Sequence, residues 1–142
     1  MMEHYIDDKK HSIMKKLLIL LFSLLISFNS YGEWVIISTG AEDGATYYID
    51  DETLSERSGY IYFWILKDNV KPDSDGDMSG KGYYEGDCVA KRNRILSNTW
   101  YKKNMGMGGY KSYDLGNKWA YPSPDSVGAK LLNYACKNAK KI

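Results

Sequence analysis

Histidine is nearly missing from this 142-residue chain: there are two, His4 and His11, both near its start. Cysteine is as scarce, with only Cys88 and Cys136, and the formal net charge is +1. The apolar run Leu17–Phe28 has twelve residues, too few for a membrane-spanning helix, which needs roughly 20. That run follows Met14-Lys15-Lys16 and precedes Ser30 and Gly32, small residues at the minus-three and minus-one positions of a cleavage site. This is the layout of a secretory signal peptide, so residues 1–32 are expected to be removed. Translation is expected to start at Met14. A buried helix of the mature fold would show a polar periodicity that the run lacks. No cysteine stands near the cleavage point, which argues against a lipid anchor.

Cleavage changes what chemistry is available. It takes away four of the 19 basic and three of the 18 acidic residues, leaving fifteen of each. A neutral domain offers no electrostatic footprint for nucleic acid or an anionic membrane surface. Both histidines go too, which excludes Ser-His-Asp and Cys-His catalysis and histidine-ligated metal. The two remaining thiols face an oxidising compartment, where an even pair is most simply a disulfide. Cys88–Cys136 would close a loop of 48 residues and stabilise the fold by about 4 kcal/mol. No cofactor or metal is expected, and the chain 33–142 has the length of one domain.

That domain reads mostly as strands. EWVIIST, 33–39, and ATYYID, 45–50, form a hairpin around GAEDG. DETLSERSG is a polar turn, with Asp50, Asp51 and Glu52 a solvated edge. YIYFWILKD, 60–68, is apolar or aromatic at seven successive positions, as a central strand covered on both faces would be. YYEGDCVA, 83–90, and RILSNTWY, 94–101, make a second hairpin whose register the sequence leaves open. Residues 102–118 read as a long loop, with at most a short strand running toward Trp119. Val127, Leu131, Tyr134 and Ala135 recur at helical spacing, with Ser123 as cap, Pro124 in the first helical position and Asp125 at the positive end. Cys136 on this helix and Cys88 on a strand would staple helix to sheet.

Several stretches are candidates for chemistry. KPDSDGDMSGKG, 71–82, sets Asp73, Asp75 and Asp77 at alternate positions, yet no register of the calcium-binding EF-hand loop fits. Starting at Asp73 puts Met78 in the glycine position, and starting at Asp75 puts Gly86 where a bidentate glutamate belongs. Turn chemistry accounts for the loop, with an irregular calcium site as the alternative. Glu85 and Asp87 share a strand face, as a glycosidase pair would; Arg92 and Arg94 across the hairpin favour an ion-pair ladder. KRNR, 91–94, is a weak phosphate footprint, and MGMGG, 105–109, lacks the helix that a phosphate-cradling loop requires. The domain is therefore expected not to be an enzyme.

The surplus is aromatic. Eleven tyrosines and four tryptophans lie beyond residue 32, more than one small sheet and one helix can bury. Trp34, Trp64, Trp100 and Trp119 are expected in the core. Tyr83, Tyr84, Tyr101, Tyr110 and Tyr113 cluster around the two long loops and are the expected contact surface, since tyrosine gives large contact area at low entropy cost. Tyrosine-lined edge strands would also allow a homodimer.

The ordered set EWV, TYYID, WILKD, DC followed by KRNRIL, the Met and Gly residues after Tyr101, and the closing WAYPSPDSVGAKLLNYAC resembles the surface-adhesin protein E family of Gram-negative bacteria. The resemblance spans essentially residues 33–142. Together with the reading above it implies an α+β fold: an antiparallel sheet of about five to six strands, with one C-terminal α-helix packed on it and tied down by the disulfide. It also implies a macromolecular partner, either a host extracellular-matrix or plasma protein bound at the cell surface or an envelope protein in the periplasm. The alternative function is an envelope accessory or enzyme inhibitor, of the kind that blocks a lysozyme.

Overall fold

The computed structural model describes residues 2–26, 32–40 and 42–142. It divides into two compact units, residues 1–31 and 32–142. The first holds helix α1, Met2–Ile26, built from lysine, leucine and isoleucine without glycine or proline. Residues 2–23 are exposed, including the apolar stretch Leu17–Phe22. Ser30 of the expected cleavage site lies outside the described residues. Among those described, no helix is long and apolar enough to cross a membrane.

The described residues of the second unit form eight strands and an α-helix: β1 Trp34–Ser38, β2 Thr46–Asp50, β3 Ser55–Arg57, β4 Tyr60–Asp68, β5 Ser79–Asp87, β6 Arg92–Lys103, β7 Met107–Tyr113, α2 Val127–Asn138 and β8 Lys140–Lys141. The sheet runs β1-β2-β4-β5-β6-β7, and each of these neighbours is antiparallel. β2 and β3 lie end to end along β4, opposite Ile65–Asp68 and Tyr60–Tyr62 respectively. β8 returns from the helix to pair in parallel with β3.

One face of this sheet carries the core. Ile61, Phe63 and Ile65 of β4, Ile49 of β2, and Leu54 pack with Leu131, Leu132 and Ala135 of α2. The helix starts at Ser126, whose Oγ accepts from the Ala129 N–H at 3.1 Å. It presents its apolar stripe to β1, β2 and β4. Gly86 is part of that fit: a Cβ there would meet Ile61 Cγ1 at 2.7 Å and Leu132 Cδ1 at 3.0 Å. The disulfide Cys88–Cys136 joins the end of β5 to the last turns of the helix across a Cα–Cα distance of 5.8 Å.

The architecture matches the expected sheet with a stapled helix; several local readings differ. Ser126 and not Ser123 is the cap, because Asp125 takes a left-handed φ of +62° that no helix can contain. The stretch 51–59 contains β3. The stretch 102–118 contains the end of β6 and all of β7, joined by a tight turn with Met105 at φ +56°. Cys88 sits one residue beyond β5. Asp50 and Asp51 are no solvated edge. The buried Asp50 carboxylate accepts from the Glu52 N–H and the Thr53 hydroxyl at 3.1 and 3.0 Å, and Asp51 accepts from the Tyr134 hydroxyl on α2 at 2.9 Å.

Candidate functional site

Strand alternation sends every second side chain of the sheet away from α2. In β4 these are Tyr60, Tyr62, Trp64 and the fully buried Leu66. Register carries the same face to Lys81, Tyr83, Glu85 and Asp87 in β5, to Arg92, Arg94 and Tyr101 in β6, and to Tyr110 in β7. Trp119 is not in a strand, yet the bridge Asn93↔Ala120 brings it against β6.

The rings stand against one another instead of lying flat. Trp64 stacks on Tyr83 with centroids 4.9 Å apart, and Tyr62 flanks the same Tyr83 at 6.3 Å. The Arg57 guanidinium covers Tyr62 at 4.1 Å and donates from Nη2 to the Tyr83 hydroxyl at 3.3 Å. Trp119 stacks on Tyr60 at 6.0 Å and carries the guanidinium carbons of Arg92 and Arg94 at 4.3 and 4.5 Å. At the other end Lys81 Nζ lies 5.6 Å from the Trp34 ring and 5.5 Å from the Tyr101 ring, and Tyr101 meets Tyr110 at 6.0 Å. Most of these rings thus have another ring or a cation against them, while Tyr110 stays 73% exposed. Of the engaged rings, edges, hydroxyls and N–H groups are what remain toward solvent.

The five tyrosines expected as a contact surface divide between the two faces. Tyr83, Tyr101 and the 73% exposed Tyr110 belong to the aromatic face. Tyr84 points to the core side, where it stacks on Phe63 at 5.6 Å and burial pushes its hydroxyl pKa up. Tyr113 is exposed on the same side as Tyr84, under the Lys111 ammonium at 5.2 Å. The four tryptophans are half-buried and outside the core cluster, because Trp34, Trp64 and Trp119 lie on the face that α2 leaves open, and Trp100 lies flat over Gly80 beyond the helix. Tyr60, Tyr62, Arg57 and Lys81 were not singled out by sequence. The period of two in YIYFWIL puts Tyr60, Tyr62, Trp64 and Leu66 on one side; only the register of β3 and β5 brings the two cations to them.

The carboxylates are spoken for. Glu85, 6% exposed, is held by Arg94 through Nη2 at 3.0 Å, and Asp87 by Arg92 Nε at 3.2 Å. The expected ion-pair ladder exists, and it ties up the one carboxylate pair considered for acid–base chemistry. In the acidic loop the ligand oxygens of Asp73, Asp75 and Asp77 lie within 4.8 Å of one another. Asp73 accepts from the Asp75 and Asp77 N–H groups at 2.9 Å, and the Lys102 ammonium closes the loop on Asp77 at 2.8 Å and on the Asp75 carbonyl at 2.9 Å. A lysine therefore supplies the positive charge inside this turn.

A cleft of ≈ 550 Å³ lies between the β1–β2 turn and the start of α2, lined by Asp43, Tyr47, Asp125 and Lys130 among others. Asp43 binds Lys67 at 2.7 Å and accepts from the Tyr47 hydroxyl at 2.8 Å. The Lys67 ammonium, aided by the Ala45 N–H, lowers its carboxyl pKa from 3.8 to about 2. A depressed carboxyl stabilises the fold above its unfolded pKa and loses that contribution as pH falls through the folded value. Asp43→Asn is accordingly expected to cost about 0.5–1 kcal/mol at pH 6, the range of a partly exposed pair, and close to nothing near pH 2. Thermal unfolding of both proteins at the two pH values checks this; an equal deficit at both would contradict it.

Residues 34–137 match the family model described as surface-adhesin protein E. Among solved structures, the selenomethionine form of Haemophilus influenzae protein E is similar at 15% identity and TM-score 0.59, over 78% of this chain and 91% of that one. Crystal form II of the same protein is similar at 18% identity and TM-score 0.54, over 65% and 80%. At such identities the likeness is one of fold. No curated protein matches the chain.

Proposed function

The chain belongs to the surface-adhesin protein E family, and from that premise we propose that residues 33–142 form an exported, non-catalytic binding domain which holds a host extracellular-matrix or plasma protein against the aromatic sheet face. Residues 1–32 act as the signal peptide. The observation that carries the reading is the aromatic face itself. The sheet side opposite α2, which carries Tyr60, Tyr62, Trp64, Tyr83, Tyr101 and Tyr110, concentrates the residue types that dominate protein interfaces. Rings already wedged against each other bind without further loss of rotamer freedom.

Non-catalytic action is supported by the chemistry of the face. Glu85 and Asp87 are engaged by arginines, and residues 33–142 contain no histidine. The proposed contacts are made by side chains alone, so no cofactor is needed.

Tyr110 and Tyr113 stand on opposite sides of β7, which makes them a matched pair for the test. With the exported protein on a panel of immobilised matrix and plasma proteins, Tyr110→Ala is expected to weaken binding by roughly tenfold or more, as loss of an interface anchor does. Tyr113→Ala is expected to leave it unchanged. Loss through Tyr113 alone would move the site to the other side. Protease shaving of intact cells provides the second arm: protection from protease would place the protein behind the outer membrane and make its partner an envelope protein.

A further inference from the structure

We infer that the partner of this face offers an acidic polypeptide segment, and that Arg57 and Lys81 are the side chains that read its carboxylates; the inference rests on the aromatic face being the binding surface. The starting point is a difference among the cations. Arg92 and Arg94 are paired with Asp87 and Glu85, Lys67 with Asp43 and Lys102 with Asp77. Arg57 and Lys81 sit on the same face as the first two, yet neither has a carboxylate within ion-pair distance among the described residues.

Both are nevertheless held in place. Arg57 is laid on Tyr62 and uses one N–H on the Tyr83 hydroxyl, which leaves most of its five donors facing outward. Lys81 is gripped between Trp34 and Tyr101, and its stem packs so closely that a Cβ on Gly106 would meet Lys81 Cε at 2.4 Å. No hydrogen-bond acceptor for its ammonium exists among the described residues. Rings attract a cation without neutralising it. The result is two positioned, uncompensated positive charges beside Tyr83, one bonded to its hydroxyl and the other two residues away on the same strand face. Charge-assisted hydrogen bonds to carboxylates are the complement such groups take.

The packing of the rings selects the class of polyanion. A base or a sugar binds aromatic side chains by lying on a free ring face. Here Tyr83 has Trp64 stacked on it at 4.9 Å and Tyr62 tilted against it at 6.3 Å, and Tyr62 carries the Arg57 guanidinium at 4.1 Å, so the rings beside Arg57 are already engaged; the exposed Tyr110 stands apart on the edge strand β7. Polypeptide needs no free ring face: its carboxylates take the cations and its apolar groups take the ring edges.

The test uses the exported protein and a fluorescein-labelled poly-L-glutamate oligomer, read by anisotropy at low and high salt, with a heparin oligosaccharide in parallel. The oligomer is expected to bind, to weaken with salt, and to lose roughly tenfold or more in affinity in Arg57→Gln with Lys81→Gln. Arg57→Lys, which keeps the charge and loses the fork, is expected to fall between. An unchanged melting temperature in the variants assigns the loss to recognition. Failure of poly-L-glutamate to bind, or binding indifferent to both substitutions, overturns the proposal. So does tighter binding of heparin through the same two residues, which would make the ligand a sulfated glycan. If Tyr110→Ala weakens a matrix-protein interaction that the double charge variant leaves intact, the acidic-segment proposal fails while the aromatic face stands. If neither alters it, the face itself is wrong.

Discussion

Replacement of the disulfide by Cys88→Ala with Cys136→Ala is expected to destabilise the domain by about 2–5 kcal/mol, as removal of a native disulfide from a small secreted domain does. The loop that the bond closes is long, 48 residues, so much conformational freedom returns to the unfolded chain when it is cut. The native state is affected through the same bond. α2 has twelve residues, of which only Leu131, Leu132 and Ala135 are buried. A helix of that length is marginal on its own, so its persistence depends on being held to β1, β2 and β4. Cys136 lies next to Ala135, in the part of the helix that closes over the core. Without the bond, α2 and the short β8 behind it are expected to lose amide protection first, ahead of β4 and β5. Urea unfolding of the oxidised and cysteine-free proteins, with hydrogen exchange on each, measures both effects. A stability difference below 1 kcal/mol, or uniform loss of protection, would show that the core alone docks the helix.

Legibility in the sequence followed the number of long-range facts each element needs. β4 was readable to the residue, because seven successive apolar or aromatic side chains leave no other reading of 60–68. The reading of β5 as 83–90 starts four residues late and ends three residues late against Ser79–Asp87. Gly80 and Gly82 look like turn residues in one dimension. In the sheet they are the places where the Trp100 and Tyr84 rings lie against the strand, since a Cβ would meet those rings at 2.7 and 2.6 Å. β7, MGGYKSY, has no apolar alternation, as every residue of it is exposed. It exists because β6 pairs with it, and the turn that returns it needs Met105, Gly106 and Gly108 at positive φ. The candidate face was half legible. The period of two put Tyr60, Tyr62, Trp64 and Leu66 on one side, but that α2 lands on the other is a property of the tertiary packing. Arg57 and Lys81 could not be linked by any pattern, because β3 and β5 contribute them from either side of β4.

Arg94→Ala is expected to cost about 3 kcal/mol, near the lower end of what it takes to strip a buried ion of its partner. Glu85 is 6% exposed and accepts from Arg94 Nε at 3.3 Å and from Nη2 at 3.1 and 3.0 Å. Removing the guanidinium leaves that carboxylate dehydrated and unpaired, and it takes a cation off the Trp119 ring at 4.5 Å. The reverse change, Glu85→Gln, leaves an arginine that is 26% exposed and still supported by the ring, so it is expected to cost about 1 kcal/mol, the value of an ordinary hydrogen bond. Glu85→Leu with Arg94→Leu is expected to recover most of the loss, because an apolar pair needs no counter-charge. Chemical denaturation of the four proteins gives the cycle; Arg94→Ala within 0.5 kcal/mol of the parent would mean that water reaches Glu85. The comparison with Arg57 separates structural from functional charge on one sheet face. Both guanidiniums lie on rings, yet one has a buried carboxylate to neutralise and the other has none. Substituting Arg94 should therefore lower stability at any salt concentration, whereas substituting Arg57 should lower affinity for an acidic segment and leave unfolding where it was.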